Sequence, residues 1–164
     1  GFLLVTEVLG ISLLEFDRVC LKILNTKNED SQTNNYKTMK KIITTHKAPQ
    51  PIGPYNQAVM VGNMLYTSGQ IAIHPETGDL VMDSIQVETT QVMENLKAVL
   101  EAADMTFENV IKSSIFISDM NTFAAINSVY GTYFEEATAP ARETVEVANL
   151  PKFVNVEISV IAVK

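Results

Sequence analysis

The sequence predicts an α+β sandwich: a mixed β-sheet with two helices on one face, in the order β-β-α-β-α-β-β. Three observations carry that expectation. Apolar runs of strand length are set off by turn residues, two stripes of helical period lie between them, and the closing runs alternate apolar with polar. At 164 residues, 46% of them apolar, the chain is long enough to bury the core of one domain.

The first expected element is a hairpin. Residues 57–61 and 64–69 are apolar and β-rich, and Gly62-Asn63 between them is a two-residue turn signal. Pro75 to Gly78 marks a second turn. Asp83, with Gln86 three residues on, marks a helix start, and Val92, Met93, Leu96, Val99 and Leu100 continue at helical period to about Ala103. Residues 110–118 read as a strand carrying Ile111, Ile115 and Ile117. Asn121 caps the second helix, whose stripe is Phe123, Ile126, Tyr130, Tyr133 and Phe134. Residues 143–147 and 154–163 then alternate as a strand pair around Asn149-Leu150-Pro151-Lys152.

Residues 1–38 read differently. Glu7, Glu15, Asp17, Arg18 and Lys22 interrupt an apolar-rich start, whose longest uncharged run is 8–14. A membrane span needs about 20 mostly apolar residues. The acids also argue against a secretory signal and a mitochondrial presequence. Residues 25–38 are almost wholly polar, as a linker is. Residues 1–38 are therefore expected to be an N-terminal extension and polar linker outside the functional domain, which is expected over 39–164.

Composition removes several function classes. Twelve Lys+Arg against nineteen Asp+Glu give a net charge of −7, which repels phosphate backbones, so no nucleic-acid partner is expected. One cysteine, Cys20, permits neither an internal disulfide nor a cysteine metal cluster and fits a reducing, cytoplasmic setting. His46 and His74 are the only histidines and both read as loop residues, so a Ser-His-Asp or Cys-His scheme has no base. No His/Cys/carboxylate cluster has metal spacing. Residues 66–70 hold one glycine and follow a strand without opening a helix, unlike a phosphate loop.

The closing strands hold the remaining chemistry. Alternation puts Arg142, Thr144 and Glu146 on one face of their strand. It puts Asn155, Glu157 and Ser159 opposite Val154, Val156, Ile158 and Val160 in the last one. A hairpin centred on Leu150 and Pro151 would set Thr144 opposite Glu157 and Arg142 opposite Ser159, gathering them on one face; a one-residue slip would undo it. Arginine offers a fork that matches a carboxylate, and glutamate can orient or deprotonate water. The ordinary reading of such a face is a solvated surface with a cross-strand ion pair. Two features point to function: Arg142 is the one arginine of 39–164, and Pro140 fixes its entry into the strand. Asn127 lies on an apolar stripe, where a structural hydrogen bond and a site role are equally open. Ile52-Gly53-Pro54-Tyr55 reads as a turn ending in an aromatic, for which turn geometry and core packing are the ordinary reading and a site role stays open.

Together these segments resemble the Rid/YjgF family of imine deaminases, over the whole of 39–164. The similar segments are Ile-Gly-Pro-Tyr at 52–55, Thr-Ser-Gly-Gln-Ile at 67–71 and Asn127 within Phe-Ala-Ala-Ile-Asn-Ser-Val-Tyr. Pro-Ala-Arg at 140–142, Val-Glu-Val at 145–147 and Val-Glu-Ile-Ser-Val-Ile-Ala-Val at 156–163 follow in order. The resemblance implies a chorismate-mutase-like fold and a homotrimer with ligand sites in the clefts between subunits. It implies hydrolysis of reactive 2-imino acids or their enamine tautomers, 2-iminobutanoate and 2-iminopropanoate among them, to 2-keto acids and ammonia. No cofactor, metal, nucleic acid or membrane is implied. Arg142 would hold the substrate carboxylate, Glu157 would position or activate water, and Tyr55, Ser68, Gly69 and Asn127 would line the cleft with Thr144. Many members carry cysteine where this chain has Thr144; imine hydrolysis needs no thiol nucleophile, so the difference bears on substrate preference and rate. The other reading is a non-catalytic, small-ligand-binding or chaperone-like regulatory trimer. Some relatives are described as translation inhibitors or ribonucleases, but the acidic charge and the want of a histidine base argue against a nuclease here.

Overall fold

Among the described residues, strand and helix periods in the sequence become six strands and two helices. The computed structural model describes residues 39–164 together with Lys22, so the extension expected over 1–38 otherwise lies outside the described residues. The strands are β1 (Lys40–Ile43), β2 (Ala58–Val61), β3 (Met64–Thr67), β4 (Val110–Ile117), β5 (Ala141–Glu146) and β6 (Val156–Val163). The helices are α1 (Ile85–Ala102), between β3 and β4, and α2 (Phe123–Tyr130), between β4 and β5. The strand β1 was not expected; its Lys-Lys-Ile-Ile gives too short an apolar run to announce itself, and it occupies one edge of the sheet.

The β2–β3 hairpin forms as its turn requires. Val61 pairs with Met64 across Gly62-Asn63, and Gly62 takes φ 61°, the left-handed conformation a tight hairpin turn demands. The cap of α1 lies one residue later than expected. Ser84, not Asp83, holds the extended N-cap conformation, and its hydroxyl accepts from the Val87 N–H at 3.2 Å. Asn121 does not cap α2. It lies inside a 3₁₀ turn, Met120–Thr122, whose own cap is Asp119, accepting from the Asn121 N–H at 2.9 Å. The apolar stripe of α2 also outlasts the helix, which gives way at Gly131–Tyr133 to a 3₁₀ turn.

The sheet order is β1-β2-β3-β6-β4-β5, which overturns the expected closing hairpin. Strand β5 pairs with β4, in parallel, and β4 lies between it and β6. The cause is α2, a crossover that returns the chain beside β4 in the same direction, as parallel neighbours require. Thr144 consequently faces Ile115 and Arg142 faces Ser113, while Glu157 faces Phe116 across β4. Ile115 pairs in turn with Ile158, so Thr144 and Arg142 share the face of Ile158, and Glu157 lies on the other.

Both helices cover the first of these faces. Val92, Met93, Leu96, Val99 and Leu100 of α1 and Ile126 and Tyr130 of α2 pack against Ile115, Ile117, Val156, Ile158 and Val160. The residues 41–164 form one compact unit. Among the described residues, no helix is long and apolar enough to cross a membrane.

Candidate functional site

The expected site residues fall into two groups, one on each face of the sheet. The first belongs to β5 and α2. Phe123, Asn127 and Tyr130, three to four residues apart, point the same way from α2. The Arg142 Nη1 donates to the Asn127 Oδ1 at 2.6 Å. Its guanidinium carbon lies 5.2 Å from the Tyr130 ring centroid and 5.7 Å from that of Phe123, within cation–π range. Tyr130 is fixed from below, its hydroxyl donating to the buried Ser113 Oγ at 2.9 Å, and burial pushes its phenol pKa up. Arg142 is thus exposed yet held, with most of its fork unused among the described residues. Two residues along, the Thr144 Oγ1 is buried and finds no hydrogen-bond partner among the described residues. A buried hydroxyl without a partner is costly, and a ligand group is one remedy.

The second group surrounds Glu157, on the opposite face. The register of β3 against β6 runs through Tyr66↔Ile161 but resumes as Gln70↔Ile158, a slip of one residue. The Thr67 hydroxyl bridges the slip by accepting from the Val160 N–H at 2.9 Å. The bulge presses Ser68 and Gly69 towards β6. A Cβ on Gly69 would lie 1.9 Å from the Glu157 Oε1, so this position is glycine for want of space. The Ser68 Oγ donates to the Asn56 carbonyl at 2.6 Å. Glu157 itself is half-buried, and burial alone raises its pKa above the ordinary 4.5.

A cavity of about 390 Å³ opens beside Glu157, with Tyr55, Ser68 and Gly69 in its lining and Ile52, Ile71 and Pro151 as apolar wall. Its outer loop is tied down by Gln57, a residue the sequence reading passed over. The buried Gln57 amide donates to the carbonyls of Thr45, Ala48 and Pro49, and its Oε1 accepts from the Thr45 N–H at 2.7 Å. An amide opening an otherwise apolar strand was the signal available. Arg142, Asn127 and Thr144 do not line this cavity. Neither histidine joins either group: His46 is exposed, and the His74 Nδ1 accepts from the Glu76 N–H in its turn. Among the described residues, no three metal-capable side chains cluster.

Known proteins share this pattern. A family model described as Endoribonuclease L-PSP matches residues 45–164. The chain belongs to this family, the YjgF/Rid family. Among L-PSP relatives, a RutC family protein of Synechocystis is 53% identical over 124 residues, covering 75% of this chain and 95% of that one. The 2-iminobutanoate/2-iminopropanoate deaminase of Escherichia coli K12 is 46% identical over 128 residues, covering 77% of this chain and 99% of that one. The crystal structure of E. coli TdcF with bound serine superposes with a TM-score of 0.71 at 46% identity, covering 76% of this chain and 98% of that one. The mixed six-stranded sheet with two helices is therefore the α+β fold of the L-PSP structures.

Proposed function

We propose that this protein hydrolyses 2-imino acids, 2-iminobutanoate and 2-iminopropanoate among them, to 2-keto acids and ammonia, at a site assembled from two copies of the chain within a homotrimer. Residues 39–164 carry the activity in this reading. The observation that carries it is the opposed placement of Arg142 and Glu157, each with bonding capacity unused among the described residues. One sheet cannot bring them together, whereas the edge strand β5 of one copy laid against the cavity of another can.

The chemistry follows from the groups so joined. Arg142, held by Asn127 and the two rings, grips the substrate carboxylate through its remaining N–H donors, a charge-assisted contact worth about 1.5–3 kcal/mol. Thr144 offers its hydroxyl beside it. The protonated imine is already electrophilic, so the barrier is mostly the placing of water against C2. Glu157, whose basicity is raised by burial, takes a proton from that water as the C–O bond forms. The resulting carbinolamine receives that proton on nitrogen, the C–N bond breaks with loss of ammonia, and the hydroxyl proton leaves to give the 2-keto acid. Water and imine balance the products, with no other reactant. The name of the E. coli relative supports this reading.

The test supplies 2-iminobutanoate from a threonine dehydratase and follows 2-keto acid formation. The parent protein should exceed the uncatalysed rate, and Arg142→Ala should fall back to it. A parent that adds nothing to the uncatalysed rate, yet binds 2-keto acids, would favour the non-catalytic ligand-binding trimer instead.

A further inference from the structure

The side chain of Glu88 is fully buried in the body of the domain, and the proposed chemistry makes no use of it. It projects from the first turn of α1 on the apolar stripe that continues as Val92, Leu96 and Val99. Its two oxygens accept three hydrogen bonds, all from the residues that lead into β6: the Asn155 N–H at 2.6 Å, the Asn155 Nδ2 at 2.8 Å and the Val156 N–H at 3.2 Å. Asn155 is held from its other side by Ser118, whose hydroxyl donates to the Asn155 Oδ1 at 3.2 Å and whose N–H donates to the Asn155 carbonyl at 3.1 Å.

The place of this clamp in the chain gives it meaning. Immediately before it, Lys152 and Phe153 take φ values of 57° and 58°, the left-handed region that side chains avoid. Pro151 and Lys152 of the same turn line the cavity. Immediately after it, Glu157 lies with its carboxylate against Gly69, in the space a Cβ at that position would fill. Strained turns persist where their surroundings over-determine them. The clamp is what fixes the chain between the strained wall of the cavity and the glutamate.

We infer that Glu88 is a positioning residue of the site, setting the place of Glu157 and of the cavity wall through Asn155 and Val156. This rests on the reading of Glu157 as the residue that handles water. Glu88→Leu fills the same space and leaves two backbone N–H groups and an amide unpaired. Glu88→Gln keeps one oxygen for the two backbone N–H groups. Its amide can donate to the Asn155 Oδ1 once the Asn155 amide turns over, leaving the Asn155 Nδ2 facing the Ser118 hydroxyl.

The experiment measures, on the full chain, imine hydrolysis and the pH titration of the Glu157 carboxyl by carbon NMR. In Glu88→Leu, kcat should fall tenfold or more with KM changed by less than twofold, and the Glu157 midpoint should move down towards 4.5 as the carboxylate swings into water. Glu88→Gln should restore both. Should Glu88→Leu fail to fold, Asn155→Ala, which removes one of the three bonds, should shift both readings in the same direction by less. Parent values of kcat and of the Glu157 midpoint in the folded variant overturn the inference, even if its melting temperature falls. If the parent hydrolyses no imine, the deaminase reading fails by itself, and the Glu157 midpoint still decides the role of Glu88.

Discussion

Arg142 and Glu157 are held by different means, and their substitutions should separate accordingly. Arg142 depends on contacts to its guanidinium, Glu157 on the space that Gly69 leaves for it. Gly69→Ala should keep the fold, because the clash is with a side chain that can rotate, but it should displace the Glu157 carboxylate. Imine turnover should drop by about 10²–10⁴-fold, the usual worth of a general base, while calorimetric binding of a 2-keto acid changes little. The raised pKa of Glu157 also has a consequence for stability. Its cause is burial, which disfavours the ionised form, so between 4.5 and the raised value the folded chain holds a proton that the unfolded chain has lost. Its contribution is fully present below 4.5 and is lost as the pH rises through the folded value. Glu157→Gln should accordingly melt above the parent at neutral pH, and the gap should close on acidification towards 4.5, as read from melting curves across that range.

Among the elements, the turn that enters β6 carries the most local strain. Phe153 is a bulky residue at φ 58° with 79% of its surface exposed, so it gains little from burial while meeting the left-handed penalty of roughly 1–2 kcal/mol. Phe153→Gly removes that penalty and gives back part of it as freedom in the unfolded chain. The net should be a melting temperature higher by about 2–4 °C for each kcal/mol retained. Phe153→Val, β-branched at the same backbone angle, should melt below the parent. Equal melting temperatures for the two variants would show that the turn is not strained at this residue. The same segment shows why a helix and a strand can cooperate at a distance: α1 holds β6 through Glu88, sixty-seven residues earlier in the chain.

At the scale of the molecule, the decisive feature is that one sheet presents its two candidate functional groups on opposite faces. An assembly that joins the arginine of one copy to the glutamate of the next makes a specific prediction for mixtures. Arg142→Ala and Glu157→Gln should each be inactive alone. Unfolded together and refolded as mixed trimers, they should regain about a quarter of the parent turnover, the share of sites that draw both intact residues by random assembly under cyclic symmetry. Mixtures that stay inactive, with mixed trimers verified by mass spectrometry, would place both residues in the same copy's site and reject the shared cleft.

Local physics was legible in the sequence wherever a residue acts on its neighbours in the chain. The Gly62-Asn63 turn, the α1 stripe and the alternation that puts Arg142 with Thr144 and Glu157 with Ser159 all depend on backbone periods of two or 3.6 residues, which a sequence displays directly. Smaller competitions were not legible, such as Ser84 over Asp83 at the α1 cap, because adjacent capping side chains differ only in backbone angles that tertiary packing selects. Glu88 did not stand out in the sequence, because its donors belong to a distant strand. Beyond the β2–β3 hairpin, whose turn is local, strand neighbours were not legible. Residues 141–146 and 156–163 alternate in the same way whether they pair with each other or with β4, and alternation is blind to which partner lies alongside. The sequence determined which side chains share a face of each strand. Only the crossover through α2, by laying β5 in parallel along β4, decided that Arg142 and Glu157 face opposite ways, because that choice depends on how distant elements pack and not on any local period.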